Sequence, residues 1–348
     1  MLRNRPLLLA FLFLCVTAPA LAVPCDEQPK MADEHAICGI EAPEDMVALD
    51  ERRLIVSSME VTDHLYLLDT RTDELGPLRT ELEPPPAAQR WGEPDCAPPV
   101  YMISHGIDLS RAADAPRLLV VNHGGRESVE MFELRQDGEA TPWLQWRGCV
   151  LAAENAQFND VAALPDGGFL ATDPLTDSWK LPRMLLGALG MATGRVYRWA
   201  PGAGYSAVPG TEGAYPNGIT LAADGARFYL NLYLDGEVRE HALDSGEILR
   251  RVSVKKPDNS TLTADGRLLV ASHRAGLPSL VGAIADEAGE RNRIPFDIVV
   301  VDLDSFDTRI LHRGDGEALG GGTVAVPAGE RLYIGAFRGD RLLRVGGE

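Results

Sequence analysis

The chain has 348 residues, 45% of them hydrophobic, with 51 acidic against 33 basic side chains and a formal charge of −18. So acidic a balance argues against nucleic acid or an anionic membrane surface as the partner, because both repel it. It suits solubility and the binding of cations.

Residues 1–22, MLRNRPLLLAFLFLCVTAPALA, carry Arg3 and Arg5, an apolar run and then Ala-Leu-Ala. This is the pattern of a secretory leader cleaved after Ala22, and the run is too short for a comfortable membrane span. Leu14 ahead of Cys15 fits a lipoprotein cleavage site poorly, and a retained leader acting as an anchor is the minor alternative. The expected product is a secreted or periplasmic domain of residues 23–348, its charge −20 once the two leader arginines are gone. No later segment reaches the 18 apolar residues of a membrane span. Cys25, Cys38, Cys96 and Cys149 remain, with no CxxC spacing. An even count in an exported chain predicts two disulfides, in one of three pairings.

Along the rest of the chain one unit recurs: a polar turn, four or five apolar residues, then a small or polar one. It reads LDERRLIVSS from Leu49, ADAPRLLVVNH from Ala113, LPDGGFLATD from Leu164, AADGARFYLNL from Ala222, TADGRLLVASH from Thr263 and PAGERLYIGA from Pro327. The copies stand roughly 40 to 65 residues apart, the range of a propeller blade with variable loops. HLYLLDTRTDE, SVEMFELRQDGE and EVREHALDSGE continue three of them as alternating second strands, which makes hairpins. The expected fold is all-β, one six-bladed β-propeller. A pair of β-sandwiches is the competing reading. One helix is expected, LPRMLLGALGM from Leu181, apolar on nearly every side, buried between blades or lying over the active-site end.

Four polar clusters fall where inner blade strands begin, at the central tunnel: Glu44 and Asp45, Asn159 and Asp160, Asn217, then Asp258 and Asn259. Carboxylates and amide carbonyls are the hard oxygen donors that calcium takes, and no cysteine accompanies them to suit a softer metal. Adjacent side chains on an extended backbone point oppositely, so the paired clusters can serve two ions at different depths. Glu44, Asn159, Asn217, Asp258 and Asn259 form the upper set, whose two formal negatives balance a dication. Asp45 and Asp160, with backbone carbonyls, form the deeper one. Singly, Pro-Asn-Gly and Asp-Asn are ordinary turn dipeptides, and Asn259-Ser260-Thr261 is a glycosylation sequon. It is their joint recurrence that carries the metal reading.

His105 in SHGIDL and His123 in VVNHGG are ordinary strand-end residues on their own; together they can face each other across a site. The chain lacks G-x-S-x-G, H-E-x-x-H and G-x-x-x-x-G-K-[ST], which leaves serine-hydrolase, zincin and P-loop chemistry without a motif.

The order GIEAPEDMVAL, SHGIDL, RLLVVNHGGRESVEMFEL, FNDVAALPDGGFLATD, YPNGITLAADG, PDNSTLTADG resembles the paraoxonase/arylesterase family of calcium-dependent lactonases. The likeness runs from about Gly39 to the end and is strongest from His105 to Asp173. The gluconolactonase/regucalcin group is a more distant relation, sharing the propeller and the single catalytic metal without the paired histidines. The paraoxonase resemblance implies a catalytic calcium on Glu44, Asn159, Asn217, Asp258 and Asn259. It also implies a structural calcium on Asp45, Asp160 and the Ile107 backbone carbonyl. His105 is implied as the base that takes a proton from water, His123 as the histidine that orients it, and the Leu181 helix as a lining of the entrance. That family also ties its terminal strands by a disulfide; with no cysteine after Cys149, ring closure here is expected to rest on strand pairing. The function so implied is a secreted, calcium-dependent hydrolase of small lactones and aryl esters. The alternatives are a sugar-lactone hydrolase of gluconolactonase type and a non-catalytic propeller whose blades calcium clamps.

Overall fold

The six recurring apolar units each become the second strand of a sheet: Arg53–Val56, Arg117–Asn122, Phe169–Asp173, Arg227–Leu232, Arg267–His273 and Arg331–Ala336. In the computed structural model, residue 25 and residues 33–111, 115–138, 140–176, 180–274, 276 and 293–346 are described. The expected leader lies outside the described residues. The second strands are buried nearly throughout, because each sits mid-sheet with a neighbouring sheet over either face. That is why they read as continuous apolar runs and not as alternating ones.

The first strands are Met46–Ala48, Met102–Ser110, Val161–Ala163, Pro216–Leu221, Pro257–Leu262 and Gly322–Ala328. Each touches the next, and Gly322–Ala328 returns to Met46–Ala48, so they ring a central axis. The architecture is an all-β propeller. Apolar clusters fill the wedges between sheets: Leu170 and Val196 pack with Ile219, Phe228 and Leu230, while Met46 and Leu54 pack with Tyr333 and Leu342. Closure rests on strand pairing, as expected. Glu34–Cys38 runs antiparallel to Arg341–Val345, pairing Glu34 with Val345 and Cys38 with Arg341.

Five of the sheets are regular four-stranded blades; the one built on Met102–Ser110 has seven strands. The departure from equal blades comes from the proline-rich segment before Tyr101, which cannot sustain a ladder of its own. It lays Thr80–Glu81 and Trp91–Gly92 parallel to the outer strand Trp143–Leu151. The Cys96–Cys149 disulfide fastens it there, and the Arg117 and Arg147 guanidiniums lie 4.4 and 5.1 Å from the Trp91 ring centre. Cys25–Cys38 is the second disulfide, so the expected pair is present and the pairing is fixed.

The helix forms at Lys180–Ala188. Burial between blades is not its fate: Leu185 is 53% and Leu189 78% exposed, and Met184 lines the cavity described below. Among the described residues no helix is long and apolar enough to cross a membrane.

Candidate functional site

Two backbone devices bring the polar clusters to the axis. Ala42, Tyr215 and Lys256 have φ of 44°, 62° and 46°, and each precedes a proline and then a polar residue: Glu44, Asn217 and Asp258. A residue before proline is barred from the right-handed helical region, and the left-handed conformation costs a non-glycine residue of order 1–3 kcal/mol. The second device is a β-bulge at the head of the first strand. His105 and Gly106 stand against Val121 alone, Asn217 and Gly218 against Asn231, and Asp258 and Asn259 against Ala271. A bulge re-aims a side chain that regular pleating would send elsewhere. A Cβ on Gly106 would lie 2.4 Å from Asp160 Oδ1, and one on Gly218 2.6 Å from the Asp258 carbonyl, so both positions require glycine.

The upper set converges. The Asn259 amide nitrogen donates to Glu44 Oε1 at 2.8 Å, and His105 Nε2 lies 3.5 Å from that oxygen. Asn217 donates to the Asp258 carboxylate. Glu44 Oε2 and the Oδ1 atoms of Asn159, Asn217 and Asn259 are buried with no hydrogen-bond partner. Such orphaned acceptors are rare in folded proteins and cost about 1–3 kcal/mol each. Burial, and then the charge of Glu44, hold the Asp258 carboxyl well above the usual aspartate range. Inward oxygens with unmet lone pairs, beside two carboxylates, fit a hard cation. Among the described residues no group of three or more His, Cys, Asp and Glu side chains makes a metal cluster; amide oxygens supply much of this set.

The deeper pair is engaged differently. Asp45 accepts from the Met46 and Ile107 N–H groups at 2.8 and 2.7 Å; Asp160 accepts from those of Val161 and Ile219 at 2.7 and 2.8 Å. Each carboxylate thereby ties its own sheet to the next. Burial raises both well above the ordinary range, helped at Asp45 by the charges of Asp160 and Glu44 and at Asp160 by those of Glu44 and Asp108. Ile107 is buried against this pair through its own N–H.

His105 and His123 do face each other, with Nδ1 of the first 2.9 Å from Nε2 of the second. His105 Nε2 lies 3.3 Å from the Asn159 amide nitrogen. Above them opens a cavity of about 680 Å³ whose walls include Met184, Tyr215, Tyr233 and Phe337.

Three lining residues carry chemistry that was not singled out from the sequence. Glu127 Oε2 is 2.6 Å from His123 Nδ1, and Gln157 donates to Glu127 Oε1 at 3.2 Å. His273, across the cavity, bonds the Tyr233 hydroxyl at 2.8 Å and donates from Nε2 to the Gly322 carbonyl at 3.1 Å. Burial pushes its imidazole down to about 4. The available signal for Glu127 was its place across the Gly-Gly turn from His123; for His273 it was its place at the end of an apolar unit.

A family model of the SMP-30/Gluconolactonase/LRE-like region matches residues 57–293. In fold the chain is similar to a structural-genomics target described as a proposed gluconolactonase, at a TM-score of 0.53 and 17% identity over 92% of this chain and 93% of that one. Virginiamycin B lyase from Staphylococcus aureus gives 0.50 and 10% over 90% and 99%. A protein of unknown function from Bacteroides thetaiotaomicron gives 0.52 and 10% over 90% and 75%. At these identities the likeness is one of fold alone. No curated protein matches the chain. The matching family is thus the more distant of the two resemblances read from the sequence.

Proposed function

The chain belongs to the SMP-30/gluconolactonase/LRE-like family, and from that premise we propose that it is a calcium-dependent hydrolase of lactones, with aryl esters as further substrates in the paraoxonase manner. Counting the seven-stranded sheet as a blade with edge additions makes the ring six-bladed. The two disulfides suit an exported protein freed of its leader.

Glu44, Asn159, Asn217, Asp258 and Asn259 would hold the catalytic ion, and Asp45, Asp160 and the Ile107 carbonyl the structural one. A calcium ion at the upper set supplies a Lewis acid for the ester carbonyl and stabilises negative charge developing on its oxygen. The protein's own groups do the rest. His105 Nε2, facing the upper set, takes the proton of the attacking water, the work for which imidazole is suited near neutrality. His123 holds that ring by its hydrogen bond to Nδ1. Apolar and aromatic walls at Leu175, Met184 and Phe337 limit the water that reaches the carbonyl.

The observation that carries this reading is the group of four buried, unpartnered oxygens beside a paired imidazole, three of them on residues that line one cavity, Glu44, Asn159 and Asn217. The test is turnover of a simple lactone and of phenyl acetate before and after chelation. Activity should vanish with the chelator and return with calcium but not with zinc. A chelated protein that still cleaves either substrate overturns the proposal.

A further inference from the structure

We propose that Glu127 is the positioning residue of a three-member relay, Glu127–His123–His105, whose carboxylate fixes which nitrogen of His105 is free to act as the base. The inference deepens the hydrolase reading and rests on it for its catalytic half. Its structural half stands on hydrogen-bond bookkeeping alone.

An ionised carboxylate can only accept, so a 2.6 Å contact between Glu127 Oε2 and His123 Nδ1 requires the proton on Nδ1. A neutral His123 then offers a lone pair at Nε2, and that atom lies 2.9 Å from His105 Nδ1. His105 must therefore donate from Nδ1, which leaves its Nε2 unprotonated. That nitrogen meets the Asn159 amide N–H at 3.3 Å, a donor that matches a lone pair and would oppose a second N–H. The Glu44 oxygen, at 3.5 Å, is too far to claim a proton from it by a good hydrogen bond. One acid at the far end of the chain thus decides that the base presents its lone pair to the upper oxygen set.

The carboxylate is itself held. Gln157 donates to its other oxygen at 3.2 Å, and the Ala152 N–H donates to the Glu127 backbone carbonyl at 2.9 Å. The neighbouring Arg126 is turned away to Glu130 and the Ala97 carbonyl, so it does not compete for Glu127. This is the logic by which an acid orients a histidine in a catalytic triad, with a second histidine standing where a nucleophile would be. Without Glu127, His123 can place its proton on Nε2, and His105 must then accept at Nδ1 and carry its proton on the nitrogen that should act.

The experiment compares wild type, Glu127→Ala and Glu127→Gln on a neutral lactone in calcium, and reads the imidazole nitrogen signals of all three by NMR without substrate. In wild type, His123 Nδ1 and His105 Nδ1 should show protonated-type signals and His105 Nε2 an unprotonated one. In Glu127→Ala, His105 Nε2 should gain protonated character and kcat should fall by about 10–100-fold, the usual cost of a lost orienting partner, while KM stays within about twofold. Glu127→Gln, whose amide oxygen can accept the same N–H and whose shape preserves the fold, should keep more activity than the alanine variant. Unchanged nitrogen signals in Glu127→Ala overturn the relay. Changed signals with undiminished kcat overturn its catalytic role. Wild type inactive on every lactone sinks the hydrolase reading, while the nitrogen signals still decide the relay.

Discussion

Glu44 is the carboxylate whose charge reaches furthest in the site. It is 2% exposed, and its charge adds to the upward push on Asp45, Asp160 and Asp258. Glu44→Gln keeps an oxygen for the Asn259 amide and replaces the unpartnered Oε2 with a donor facing the other orphaned oxygens. In chelator the variant should therefore be more stable than wild type. Satisfying one orphaned buried acceptor is worth about 1–3 kcal/mol, which corresponds to a rise of at least ~2 °C in melting temperature at ~2–4 °C per kcal/mol. In calcium the order should reverse. A ligand at a hundredfold its dissociation constant stabilises by about 2.7 kcal/mol, and the variant, short of half the upper set's charge, should lose most of that gain. The assay is a pair of thermal melts for each protein, one in chelator and one in calcium. A variant that melts below wild type in chelator, or that shows the full calcium shift, refutes the reasoning.

Two further outcomes are expected. His105→Gln should lower kcat by about 10²–10⁴-fold, the usual loss for a positioned base, and leave the calcium shift in melting intact; near-full activity in that variant would favour the gluconolactonase-type mechanism. The second concerns pH in the absence of a cation. Asp45, Asp160 and Asp258 are raised chiefly by burial, and burial pushes Asp108 up to about 6. A carboxylate raised in the folded state contributes stability that is complete below its unfolded value and is lost as pH climbs through the folded one. Melts in chelator should therefore fall in temperature as pH rises from about 4 through 6 and beyond, and calcium should flatten the slope. A chelated protein whose stability is level or rising across that window contradicts the assignment.

The propeller was legible because its second strands are buried on both faces, and burial of that kind writes itself into the sequence as uninterrupted apolar runs such as RLLVV and RFYL. The seven-stranded sheet was not, since nothing in EPPPAAQRWGEPDC says which edge it will cover; the disulfide partner of Cys96 is set by that docking. The oxygen donors were found one cluster at a time as turn-like dipeptides. What turns them inward is a left-handed residue followed by proline, present in the sequence as APE, YPN and KPD, joined at Asn217 and at Asp258–Asn259 by a bulge. Glu127 escaped for a different reason. Its partner is four residues away across a Gly-Gly turn, and only the hairpin geometry decides whether the two side chains meet.

These local departures from regular structure point one way. Left-handed conformations at Ala42, Tyr215 and Lys256, bulges at three strand heads and four buried oxygens without partners all fall on one end of the ring. At about 1–3 kcal/mol apiece the orphaned oxygens alone represent a penalty comparable with the whole net stability of a domain, about 5–15 kcal/mol. An arrangement so unfavourable by itself persists where a bound species offsets it. Bulges and left-handed residues occur elsewhere too, at Glu240–His241 and Phe306 for example, but only at the strand heads do they coincide with inward oxygens that lack partners. Around Glu44 four such oxygens gather beside an imidazole pair, and a cation bound there, as proposed, would supply the partners they lack.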